Sequence, residues 1–120
     1  MAGKIVADTL EHSTAGSIAT NYVVEGSAKA WANYSQVDVT VRDSLNIASV
    51  TDTSAGIHTY VFSNSMSNAN WAAGFITRNN RHQWNTDEGA TTGRAVRTAD
   101  SNNTVSDNDS NTIICMGDLA

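Results

Sequence analysis

A hydrophobic period of two constrains this chain more than any other feature. Gln36-Val37-Asp38-Val39-Thr40-Val41-Arg42 alternates polar and apolar side chains without a break. Successive side chains of a strand point to opposite faces, so this spacing predicts a half-buried strand with its three valines inward. β-Branched residues suit that pleated surface. Ile57-His58-Thr59-Tyr60-Val61-Phe62 carries bulky groups on both faces and predicts a central strand. Between these two, Ser49-Val50-Thr51-Asp52 predicts a strand, and Thr53-Ser54-Ala55-Gly56 predicts a hairpin loop whose glycine supplies a positive φ. Ala28–Tyr34 predicts a strand with small alanines on one face and Lys29, Trp31 and Asn33 on the other. Trp71–Thr77 predicts another, and the turn Asn79-Asn80 leads into Arg81–Trp84. Thr92–Thr98 and the most apolar run, Thr112–Met116, complete the set.

Helical signals are weak. Ala15–Ala19 offers at most a single turn, and Met66–Ala73 is interrupted by serine and asparagine. Short strands spaced by about ten residues, with turn chemistry between them, predict an all-β fold. The expectation is a single antiparallel β-sandwich, jelly-roll-like, over residues 26–120, with an extended N-terminal arm over residues 1–25. The arm's apolar side chains (Ile5, Val6, Leu10, Ile18, Tyr22, Val23 and Val24) are too widely spread for a core layer. Fixing each backbone residue costs about 1–2 kcal/mol, so the arm is expected to find its order against a partner chain. In that arrangement Lys4-Ile5-Val6-Ala7 pairs as a short strand, with Asp8 and Glu11 at its polar rim. Residues 99–111 have the composition of a disordered loop.

The 120 residues suffice for one domain with a real core. A formal net charge of −5 argues against a nucleic acid backbone or an anionic membrane surface as partner. Charged residues reach only 16%, against about 25% in ordinary domains, and Ser, Thr and Asn fill the gap with neutral polar surface. The one cysteine excludes an internal disulfide. No run of apolar residues is long enough for a transmembrane helix, and the first eight residues lack the apolar stretch of a signal peptide.

The search for chemistry finds no assembled site. There is no Gly-x-Ser-x-Gly elbow to place a serine nucleophile beside a base. Cys115, between Ile114 and Met116, reads as a buried small hydrophobe. His12, His58 and His82 show no metal-ligand spacing. Asp107-Asn108-Asp109-Ser110-Asn111 offers oxygens at alternate positions as a calcium loop does, with Asp118 at the closing position. Thr112 stands where that loop needs glycine, which favours a plain polar loop. Arg78, Arg81, His82 and Trp84, with Arg94 and Arg97 on a later strand, make a basic, aromatic group able to hold a glycan or a single-stranded nucleic acid. Asp87 and Glu88 beside it favour salt bridging instead. Trp31, Trp71 and Trp84 read as core or interface anchors. The sequence therefore assigns no catalytic, cofactor-binding or metal-binding residue, and no enzymatic activity is expected.

One stretch carries a family likeness. Gly26-Ser27-Ala28-Lys29-Ala30-Trp31 is followed by Arg42-Asp43-Ser44-Leu45-Asn46-Ile47-Ala48-Ser49-Val50-Thr51-Asp52. Gly56, Tyr60 and Phe62 come next, then Met66 and Ala69-Asn70-Trp71-Ala72. This order and spacing, over residues 26–76, resembles a small module of tailed-phage virion proteins, cyanophage proteins among them. The module occurs in capsid decoration or fibre proteins and at the end of tail fibres. Ala32 and Tyr34 stand where that module more often has valine and phenylalanine. The resemblance implies a β-sandwich virion protein, a homotrimer without enzymatic activity or cofactor. With so short a lead-in before the module, a capsid decoration (cement) protein is expected. Such a protein sits on the capsid exterior and stabilises the head through trimeric contacts to the major capsid protein. The alternative is a tail-fibre or head-fibre appendage that binds a host surface glycan through Trp84, Arg81 and nearby asparagines. Strand Ala28–Tyr34, with small residues on one face and Trp31 on the other, suits packing on both sides, one of them against a neighbouring copy.

Overall fold

The computed structural model describes residues 3–87 and 89–120. It begins with a small hairpin, β1 (Thr9–His12) and β2 (Gly16–Ala19), and a short helix, α1 (Thr20–Gly26). Eight further strands follow: β3 (Ala30–Ser35), β4 (Thr40–Leu45), β5 (Ile47–Ser54), β6 (Ile57–Phe62), β7 (Ala72–Thr77), β8 (His82–Asn85), β9 (Gly93–Ala99) and β10 (Asn111–Met116). These form two antiparallel four-stranded sheets, ordered β4-β3-β10-β7 and β5-β6-β9-β8, packed as an all-β sandwich.

Alternation along the strands builds the core. Ala30, Ala32 and Tyr34 of β3 and Ile113 and Cys115 of β10 point inward from one sheet. Tyr60 and Phe62 of β6 and Val96 of β9 meet them from the other, and Met66 and Trp71 join the same cluster. Asn46, alone between β4 and β5, carries the chain from one sheet to the other. Its φ of 57° is a left-handed value that asparagine tolerates. The corner is fixed by the Asn64 amide donating to Asn46 Oδ1 at 2.7 Å and by Asn46 Nδ2 donating to the Asn64 carbonyl at 3.0 Å. Gly56 turns the β5–β6 hairpin with φ 68°, as its sequence predicts.

Three expectations are corrected. The alternating run at 36–42 is not one inward strand. Residues 36–39 are a turn, β4 starts at Thr40, and Val37, Val39 and Val41 are exposed. Side-chain hydrogen bonds have displaced the ladder: Ser35 Oγ donates to Asp38 Oδ2 at 2.9 Å and accepts the Asp38 amide at 3.2 Å. Gln36 is drawn inward, its amide donating to the Asn108 carbonyl at 3.0 Å. The turn leaves Val39 at φ 49°, which is strained for a β-branched residue.

The arm, second, is not extended throughout. It holds the β1–β2 hairpin and α1, joined by the Thr20 amide donating to the Asp8 carbonyl at 2.9 Å. Ile5 and Val6 lie outside any strand and are 92% and 80% exposed. Met1 and Ala2, also assigned to the arm, lie outside the described residues.

The acidic loop at 99–111, third, is held in place. Asp100 Oδ1 accepts the amides of Asn102 and Thr104, each at 2.9 Å, and Asp107 Oδ1 accepts the Gly56 amide at 2.6 Å. Asn108 and Asn111 are buried. Composition registered the loop's polarity and missed these internal acceptors.

Candidate functional site

The register of the β4-β3-β10-β7 sheet fixes what its outer face presents. Leu45 lies opposite Trp31, Trp31 opposite Ile114, and Ile114 opposite Gly74, a row that crosses all four strands. Met116 lies opposite Ala72 in one flanking row, and Ile76 lies opposite Thr112 in the other. Leu45, Ile114, Met116 and Ile76 are exposed and Trp31 is half-buried. A Cβ added at Gly74 would meet nothing within 4 Å, so the face is flat and open there. Antiparallel sheets that face water on one side are normally polar on it. This face is apolar, and each Å² it buries against a partner contributes about 25 cal/mol.

The arm presents the matching chemistry. Its hairpin and helix contribute no side chain to the buried core, and α1 buries none of its seven residues. Between the Lys4–Ala7 segment and α1 runs an apolar groove of about 340 Å³, lined by Ile5, Val6, Leu10, Val23 and Val24. The radius of gyration, 16.8 Å, exceeds the roughly 14 Å of a compact chain of this length, as a projecting arm requires.

The candidates for chemistry are dispersed. Cys115 is buried, and desolvation raises its pKa to about 12 against a partial opposing effect of Arg94, so the thiol stays protonated. His58 is buried between Tyr34 and Tyr60, its Nε2 3.1 Å from the Tyr60 hydroxyl. Burial pushes its pKa down to about 4, although the charge of Asp107 works the other way. His12 lies in the arm hairpin, where its Nδ1 accepts the Ala15 amide at 3.1 Å, and His82 lies on β8. The three histidines are thus far apart in the fold, as in the sequence. Among the described residues no group of three or more His, Cys, Asp or Glu side chains is placed to hold a metal ion. Asp109, from the calcium-like run, pairs with Arg78, and Asp107 caps Gly56.

The basic, aromatic group is brought together only in part. His82 and Trp84 stack along β8 with ring centroids 5.1 Å apart, and the Arg97 guanidinium lies 5.8 Å from the Trp84 ring. Arg81 donates to Ser106 Oγ. Arg94 leaves the group: it points inward, 4.2 Å from the centroid of the Trp71 ring. Glu88 lies outside the described residues. The three tryptophans divide as anchors should. Trp71 is in the core, donating Nε1–H to the Ala90 carbonyl at 3.0 Å, Trp31 is on the outer apolar face, and Trp84 is on the edge strand β8.

Sequence reasoning found Trp31 and the apolar arm residues but missed the face around Trp31. The signal was present in Ile113-Ile114-Cys115-Met116, which is apolar at both parities although only Ile113 and Cys115 are needed inside. No family model, curated protein or solved structure matches the chain.

Proposed function

We propose that this chain is a structural protein of a phage particle, a capsid decoration protein that self-associates as a homotrimer on the head exterior and has no enzymatic activity. The observation that carries the reading is the pairing of an outward apolar sheet face with a projecting apolar arm. Both are surfaces for assembly, whereas the reactive side chains are buried, bonded or scattered. The likeness over residues 26–76 to the phage virion module supports the same reading. The mechanism is physical. A symmetric oligomer meets several capsomers at once, so weak contacts add through effective concentration. The low charge density and net charge of −5 leave a neutral to acidic outer surface that favours solubility.

The second reading is an appendage tip that binds a host glycan, and the stacked His82–Trp84 pair on an edge strand favours it. Arg81 and the Trp84 ring already have partners within the chain, which counts against it. Quantifying the protein in purified particles separates the two. A decoration protein is present at the abundance of a major structural protein, and an appendage tip is a minor component. Absence from the particle contradicts both.

A further inference from the structure

We infer that the apolar arm of one copy seats on the outer face of the β4-β3-β10-β7 sheet of a second copy. The inference rests on the self-associating reading above and names the two surfaces that would make the contact. Three observations carry it. First, both surfaces belong to one chain, and each is exposed there. The arm offers Ile5, Val6, Leu10 and Val24, and the face offers Leu45, Ile114, Met116 and Ile76. A partner of another kind would cover one surface and leave the other wet. A second copy consumes both.

Second, the arm is held off its own face. The linker after α1 is pinned by the Lys29 amide, which donates to the Cys115 carbonyl at 2.8 Å. Lys29 Nζ binds the Val24 carbonyl at the end of α1 and the Ser27 carbonyl at 3.0 Å. These bonds fix the point where the arm leaves the sheet, at the Cys115 end of β10 and beside the face.

Third, the size is right. Residues 3–26, about two dozen, match the roughly 20–30 residues a side that a stable interface uses. Open space above Gly74 and the small Ala72 give the incoming side chains a flat seat. An arm-to-face contact joins two different patches, so it propagates head to tail and closes into a ring under threefold symmetry.

The test uses the full chain with two pairs of exposed substitutions. The arm variant is Ile5→Asp with Val6→Asp, and the face variant is Ile114→Asp with Ile76→Asp. Circular dichroism and thermal melting first establish that both remain folded. Light scattering then reads the mass. The natural chain gives an oligomer, and each variant alone falls to the 12.7 kDa monomer, about a threefold loss from a trimer. An equimolar mixture recovers a heterodimer, because the face variant's intact arm meets the arm variant's intact face. An oligomer that survives in the arm variant and dissociates in the face variant means a face-to-face contact. That outcome overturns this inference and leaves the self-associating reading standing. A natural chain that is monomeric overturns both. Two monomeric variants that do not complement each other overturn the arm-to-face pairing.

Discussion

The sandwich and the arm use apolar side chains in opposite ways. Along β3, Ala30, Ala32 and Tyr34 are at most 1% exposed, and their neighbours on β10 and β6 are equally enclosed. In the arm, Ile5 is 92% exposed and Tyr22 68%, and the hairpin and helix enclose no side chain. A seven-residue helix with two adjacent valines is too short to be stable alone in water. The sandwich therefore carries its own stability, while the arm's ordering costs conformational entropy that its internal contacts do not offset. The outer face of the β4-β3-β10-β7 sheet belongs to the first region by backbone and to the second by exposure.

Substitutions of like chemistry in the two regions give the largest contrast. Ile113, fully buried on β10, leaves a cavity when changed to alanine, and the expected loss is about 4 kcal/mol of unfolding free energy. Ile5→Ala, at the most exposed large apolar position, should move stability by less than about 0.5 kcal/mol. Urea titrations of both variants check this. Equal losses would place the arm in the cooperative core.

Next in size is a pH effect confined to the sandwich. His58 is neutral when folded, with its pKa held near 4 by burial, and an unfolded histidine titrates near 6.5. Between those values the unfolded chain binds a proton that the folded chain does not, so stability rises with pH across the window. It is fully present above about pH 6.5 and falls by about 3 kcal/mol on acidification to about pH 4. His58→Gln should remove most of that slope, measured as the urea midpoint at several pH values. An unchanged slope would mean that His58 is solvated or already charged in the fold.

The smallest effect is the most specific to the arm. Removing residues 1–20 should leave the melting of the sandwich within about 0.5 kcal/mol, because none of those residues belongs to the core cluster. The same truncation should abolish attachment to the particle. Loss of folding would assign the arm to the domain, and full occupancy on particles would remove its anchoring role.

The strands were legible in sequence where pattern and tertiary environment agree. β6 was read as central from bulky groups at both parities, and it lies between β5 and β9. β10 was found from its apolar run and β3 from its alanines. The strongest alternation, at 36–42, misled because Ser35 and Asp38 offered the backbone a turn and because Gln36 had acceptors inside. α1 was missed because it has no amphipathic period, no side-chain cap and no buried face to leave a pattern. The apolar face was missed as a surface because it arises only when Leu45, Trp31, Ile114 and Gly74 are brought into register from four strands distant in sequence.

Hydrogen exchange on the natural chain tests the division between arm and sandwich most directly. At a dilution that favours the monomer, amides of β3, β6, β9 and β10 should exchange only through global unfolding, while those of residues 3–26 exchange with almost no protection. Raising the concentration until the chain associates should protect the arm, together with amides of the sheet that receives it. Arm amides as slow as those of β10 in the monomer would contradict the account, because the arm would then be part of the fold and not a limb awaiting a partner.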